Sequence, residues 1–357
     1  MPLQRKDMLA TSRPPPGFAA ALLAWHIKHG RTGLPWQNTR DPYLVWLSEI
    51  MLQQTQVITV MDYYTRFLQR FPTVRELAKA SQDDVLALWA GLGYYSRARN
   101  LQACAQAVVN LHGGEFPRTS ALLQSLPGIG PSTAAAIASF CYGERVAILD
   151  GNVKRVLTRV LGFDKDLASS RHERELQVIA TDLLPKRDLA RQMPRYTQAI
   201  MDLGATVCTP RQPRCNTCPM QQCCIARAQG RADGFPVKTK KLKRSSQSLW
   251  LLWAQRRDGA VLLQKRPAPG VWAGLYCLPV FDSLDDLESL FQAKERAELR
   301  ALPPFIHVLT HKDLHLHVVR VNEPSALPDL GQWVKDWEKI GLPAPVKKLL
   351  THPKLSN

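Results

Sequence analysis

From Phe18 to about Arg231 the apolar residues recur in short blocks at helical spacing, rich in Ala, Leu and Gln and cut by Pro and Gly. Strand signals are nearly absent there. Asp41 followed by Pro42 reads as an N-cap with proline at the first helical position, and predicts a helix through Tyr43 to about Val60. Further helices are expected near residues 83–90, 96–112, 119–125, 131–142, 151–161, 171–184 and 194–204. Beyond residue 247 the period changes. Ser248–Ala254, Ala260–Arg266, Ile306–Thr310 and Leu314–Arg320 read as strands, with one helix near 284–298. The pattern predicts a mainly α region over 17–231 and a smaller α/β domain over 248–357, joined by a basic, Pro- and Ser-containing linker over 232–247. Residues 1–16, ending in three prolines, read as a disordered tail.

Charge separates the two regions further. The chain of 357 residues carries a formal +17. Residues 247–357 hold 14 Lys and Arg against 12 Asp and Glu, so +15 resides in residues 1–246. A surplus of that size is the footprint of phosphate contact, and binding should weaken steeply with salt. No run of about 18 apolar residues marks a membrane span, and the N-terminus lacks the apolar core of a signal peptide. The expected setting is a reducing cytoplasm, at the nucleoid, which suits free thiols.

Cys208, Cys215, Cys218 and Cys224 form a C-x6-C-x2-C-x5-C run, the ligand set of an iron-sulfur cluster or a structural zinc. Cys223 could replace Cys224 on spacing alone, while Cys104, Cys141 and Cys277 have no ligand spacing. Upstream, Leu126-Pro-Gly-Ile-Gly-Pro-Ser-Thr lies between two helical stretches. Gly128 and Gly130 can form a tight hairpin whose amides, with the next helix N-terminus, clamp a phosphate. Asp150 follows the strand-like Ala147-Ile148-Leu149 and opens a helix, either as an N-cap or as a buried anion that steadies positive charge on a sugar. Glu49 sits among Trp46, Leu47, Ile50, Met51 and Leu52. Desolvation there would raise its pKa and leave it protonated as a general acid.

Together these features resemble the helix-hairpin-helix DNA glycosylases, over about residues 17–231. Within that superfamily, Leu34-Pro35-Trp36-Gln37, the Val45–Val57 run, Gly91–Asn100 and Leu149–Val153 are similar to the adenine DNA glycosylases. The resemblance implies a six-helix barrel with a cluster domain, a [4Fe-4S] cluster on Cys208, Cys215, Cys218 and Cys224, and a monomer acting on double-stranded DNA that carries A:8-oxoguanine or A:G mispairs. By position, Glu49 matches the acid that protonates the purine, and Asp150 the carboxylate beside the oxocarbenium-like sugar. Gln54 and Tyr94 match residues wedged into the duplex, Leu34, Trp36 and Gln53 lie near the flipped base, and Asn152 lies near the sugar. Ser132 stands where bifunctional relatives place a Schiff-base lysine, which implies a monofunctional enzyme.

The C-terminal region resembles the Nudix-like fold with which this family reads 8-oxoguanine, but it lacks the Glu-rich metal box of Nudix hydrolases. Family members often carry Phe-Ser-His in the lesion-contact loop. Here Leu309-Thr310-His311 keeps a hydroxyl and a histidine and loses the aromatic ring. Three rival readings remain at this level: a glycosylase for another base, a non-catalytic cluster protein that binds DNA, and a zinc-ribbon protein.

Overall fold

A computed structural model describes residues 15–239, 244–324, 327 and 329–351. The tail expected over residues 1–16 falls almost wholly outside the described residues, as does part of the linker. Contacts divide the chain into two compact units, one of residues 1–65 and 104–241, the other of 66–103 and 242–357. Division by composition and division by contact therefore differ: a stretch of helices inside the α region clusters with the C-terminal sheet.

The first unit is helical, with helices Phe18–His29, Pro42–Leu52, Ser120–Leu123, Pro131–Tyr142, Gly151–Leu161, Ser170–Asp182 and Leu189–Thr206. Its core gathers Leu22, Ile148, Val156, Leu157, Leu176, Ile200 and Leu203, with three of the cysteines, Cys208, Cys218 and Cys224, packed at its edge. Asp41 caps its helix as expected, accepting the Tyr43 N–H at 2.8 Å.

The bounds of two helices in this unit need correction. The helix from Asp41 does not run to Val60. It ends at Leu52, and a new helix, Val57–Arg70, begins after Gln54 turns left-handed at φ 57°. A run of polar Gln53-Gln54-Thr55-Gln56 buries nothing that would hold the helix straight. The last long helix begins at Leu189, not 194, with Pro194 inside it. Proline deprives the Ala190 carbonyl of its helical donor, and the Arg40 guanidinium supplies a replacement at 2.8 Å. Ala147–Leu149 is buried but forms no strand.

The second unit contains helices Val74–Lys79 and Gln82–Trp89, the N-terminal part of Ser96–His112, and the sheet domain. Its strands are β1 (Ser245–Gln255), β2 (Val261–Lys265), β3 (Tyr276–Cys277), β4 (Val280–Phe281), β5 (Arg300–Ala301), β6 (Phe305–Val308), β7 (Lys312–Asn322) and β8 (Gln332–Val334). The order is β3-β2-β1-β7-β5, with β1 and β7 parallel and β6 beside β7 in an antiparallel hairpin. The single helix expected near 284–298 is two short ones, Leu284–Glu288 and Ala293–Arg296. Asp83 meets Lys265 at 2.5 Å and the Arg99 guanidinium donates to the Ala273 carbonyl at 2.6 Å, tying these helices to the sheet domain.

Candidate active site

The two acids come from different helices of one unit. Glu49 lies on the Pro42–Leu52 helix, whose inward residues Trp46, Leu47 and Met51 are fully buried. Asp150 caps the Gly151–Leu161 helix, its Oδ1 accepting the Val153 N–H at 2.7 Å and its Oδ2 the Asn152 amide at 3.3 Å. Burial pushes the Glu49 carboxyl up to about 8, and the charge of Asp150 pushes it the same way. The two carboxyls are therefore within electrostatic reach of one another. Burial also raises the Asp150 pKa, but the Val153 and Asn152 donors and the Arg155 guanidinium oppose it. No donor opposes the shift of Glu49. The two carboxyls thus sit in unequal environments: burial raises both, and only Asp150 has donors that oppose the rise.

Asn152 is itself held. Its side-chain oxygen accepts from the Arg155 guanidinium at 2.8 Å, and Arg155 also donates to the carbonyls of Gly204 (2.8 Å) and Cys208 (2.7 Å). A Cβ on Gly204 would stand 2.7 Å from the Asn152 Cβ, so glycine is what lets the Leu189–Thr206 helix approach this closely. Arg155 escaped the sequence reading. Its spacing of three from Asn152 on a helix was the available signal.

The hairpin forms as expected. Gly128 is left-handed at φ 74°, the Ile129 N–H returns to the Leu126 carbonyl at 3.2 Å, and Gly130 caps the Pro131–Tyr142 helix. Leu126 and Ile129 are buried while Pro127, Gly128 and Gly130 are exposed, so the turn is anchored from below and presents its backbone outward. Ser132 lies in the first turn of that helix and brings no amine. Gln53, at the end of the Glu49 helix, donates to the Thr133 hydroxyl at 3.4 Å. Gln54 is exposed and left-handed. Leu34 and Trp36 sit on a loop closed by Gln37, with the Trp36 ring edge-on to Tyr64 at 5.4 Å.

Tyr94, Thr310 and His311 belong to the second unit. Tyr94 is left-handed at φ 47°, its ring 5.5 Å from the Arg97 guanidinium, and its hydroxyl bonds that of Thr310. Thr310 and the exposed His311 form the turn between β6 and β7, closed by the Leu309 N–H on the Lys312 carbonyl at 2.8 Å.

Cys208, Cys215, Cys218 and Cys224 line one cavity with Val156, Val160 and Leu203. Cys223 is exposed and does not line it. Burial pushes the Cys218 thiol up to about 12, with the other three cysteines adding to the shift. Among the described residues no three His, Cys, Asp or Glu side chains converge tightly enough to hold a single metal ion. The four thiols line a cavity with apolar walls, and soft sulfur donors of this kind are ligands for an iron-sulfur cluster or a zinc. Buried Arg159 donates to the Cys208 sulfur at 3.4 Å and to the Thr209 carbonyl at 2.7 Å, bracing the segment.

Residues 47–181 match the family described as HhH-GPD superfamily base excision DNA repair protein, and residues 250–352 match the NUDIX domain. The chain is 34% identical to an adenine DNA glycosylase of Buchnera aphidicola (subsp. Acyrthosiphon pisum), over 93% of this chain and 96% of that one. It is 47% identical to the adenine DNA glycosylase of Homo sapiens over 59% of this chain and 39% of that one. Among solved structures, a thermostable thymine-DNA glycosylase aligns at TM-score 0.52 and 27% identity, covering 59% of this chain and 95% of that one.

Proposed function

The chain belongs to the adenine DNA glycosylases of base excision repair, and from that premise we propose that it hydrolyses the N-glycosidic bond of adenine mispaired with 8-oxoguanine or guanine in double-stranded DNA. The supporting observation is the unequal pair: a buried carboxyl whose pKa is pushed up to about 8, within electrostatic reach of a second carboxyl that accepts the Val153 N–H and the Asn152 amide at a helix N-terminus. Extrusion of the adenine costs about a few kcal/mol of stacking and pairing. The Glu49 O–H protonates a ring nitrogen of the base, the C1′–N9 bond breaks with its electron pair going to the base, and adenine leaves neutral. Asp150 steadies the positive sugar, kept in place by Val153, Asn152 and Arg155. Water then adds to C1′ and its proton passes to the Glu49 carboxylate, which leaves an abasic site and restores the acid.

With Ser132 where an amine would be needed, the enzyme is monofunctional and leaves the strand uncut. The hairpin at Gly128 and Gly130 holds backbone phosphate, Gln54 and Tyr94 wedge the duplex, Leu34, Trp36 and Gln53 line the base pocket, and Thr310 and His311 read the oxidised guanine. A [4Fe-4S] cluster would be held by Cys208, Cys215, Cys218 and Cys224, where it would cross-link the segment that accepts Arg155 and Arg159. The test is single-turnover excision from duplexes bearing adenine, thymine or uracil opposite 8-oxoguanine or guanine, with alkali to reveal abasic sites. Adenine should be released and the strand cut only after alkali. Release of thymine or uracil in its place, or cutting without alkali, would overturn the reading.

A further inference from the structure

Asp202, in the helical unit, has no exposed side-chain surface. Its Oδ1 accepts from the Arg31 Nε and Nη2, both at 2.7 Å, and from the Gln198 amide at 2.9 Å. Its Oδ2 accepts the Arg31 backbone N–H at 2.9 Å and lies 3.1 Å from His26 Nε2. A buried charge is retained only with such partners, since losing one costs more than the pair contributes. Arg31 is thus fixed through both main chain and side chain.

That fixation is passed along the loop. The Arg31 carbonyl accepts the Gln37 amide at 3.0 Å, and the Gln37 side-chain oxygen accepts the Leu34 N–H at 3.1 Å, closing a ring around Leu34, Pro35 and Trp36. Trp36 leans on Tyr64, whose hydroxyl donates at 3.3 Å to Leu44 on the helix that carries Glu49. Two residues beyond Asp202, Gly204 backs Asn152 and accepts Arg155, which hold the Asp150 side. One turn of helix therefore grips the Leu34–Trp36 loop through Asp202 and the Asp150 support through Gly204.

We propose that Asp202 is a positioning residue for base excision: through Arg31 and Gln37 it sets the Leu34–Trp36 loop in register with the Glu49–Asp150 pair. The inference rests on the reading of Leu34 and Trp36 as base-pocket residues. A misplacement of about 1 Å at a distance from the chemistry can cost roughly a hundredfold in rate, while phosphate contacts made elsewhere keep the duplex bound.

The experiment measures single-turnover excision at saturating enzyme, duplex affinity and Tm on the full chain for Asp202→Asn, Gln37→Met, Leu34→Ala and the two doubles with Leu34→Ala. Gln37→Met leaves Asp202 and its partners intact, so it decides the matter should Asp202→Asn fail to fold. Excision should slow by about tenfold to a hundredfold in Gln37→Met and in folded Asp202→Asn, with affinity for an uncleavable duplex unchanged. Neither should slow the Leu34→Ala protein much further, because all three act on one loop. Normal excision in a folded Asp202→Asn or in Gln37→Met, or losses that simply multiply with that of Leu34→Ala, would overturn the proposal. Normal excision by Leu34→Ala alone would remove the base-pocket reading, and the inference with it, while leaving the assignment of Glu49 and Asp150 to be judged by their own variants.

Discussion

The helical unit fixes Asp150 from several sides, whereas the sheet unit holds Thr310 and His311 at the tip of a turn. Asp150 is held by a helix N-terminus and by the Asn152 amide, and Asn152 is held in turn by an arginine that spans two further carbonyls. Thr310 stands exposed between β6 and β7, joined to Tyr94 through one hydroxyl pair and to Arg244 through its carbonyl at 3.0 Å. The difference fits the proposed tasks. Transition-state charge needs preorganised, desolvated partners, while the proposed discrimination between two guanines would be a difference of a few hydrogen bonds at a surface.

The largest break in that comparison is expected at the acids. Glu49→Gln and Asp150→Asn should each lower single-turnover excision by about a thousandfold or more while duplex affinity stays within severalfold. Normal turnover in either variant would dissolve the contrast. Next in size is the cysteine segment. Cys218→Ser should lose broad visible absorbance and make the chain around residues 208–231 more sensitive to protease, and a colourless native protein with bound zinc would remove the cluster.

The pH profile sharpens the same contrast. With Glu49 as the proposed general acid, excision by the bound enzyme should fall as pH rises through about 8. Stability carries the matching sign. Because its folded pKa lies above its ordinary value of 4.5, Glu49 costs the fold increasingly as pH rises from about 4.5 to about 8. Glu49→Gln should therefore raise Tm by roughly a few degrees at pH 8 and by little at pH 5, and an equal shift at both would show the charge to be unimportant. The smallest effect belongs to the second unit. Tyr94→Phe or Thr310→Ala should reduce the preference for 8-oxoguanine over guanine by about fivefold, the worth of about one hydrogen bond, with the chemical step on the preferred duplex little changed.

Local signals were read well where one residue dictates its neighbour. Pro131 and Gly143 bound a helix at the expected positions because a fixed φ starts it and a left-handed glycine stops it. The break at Gln54 and the early start at Leu189 were missed because each depends on a partner distant in sequence or on the absence of one, as Arg40 shows for the Ala190 carbonyl. The texture change after residue 230 was visible in the sequence. That residues 66–103 cluster with 242–357 was not, since the bonds Asp83–Lys265 and Arg99–Ala273 span more than a hundred residues.

Sequence alone determined which groups could do chemistry: two acids, four spaced thiols, a Gly-x-Gly turn and a basic half-chain, all properties of residue type and spacing. Only the tertiary structure decided their state. Burial raised the Glu49 pKa while Val153, Asn152 and Arg155 opposed the rise at Asp150, Cys223 was left exposed outside the cavity lining, and Asp202 was buried among Arg31, His26 and Gln198, because desolvation and partner geometry arise where distant segments meet.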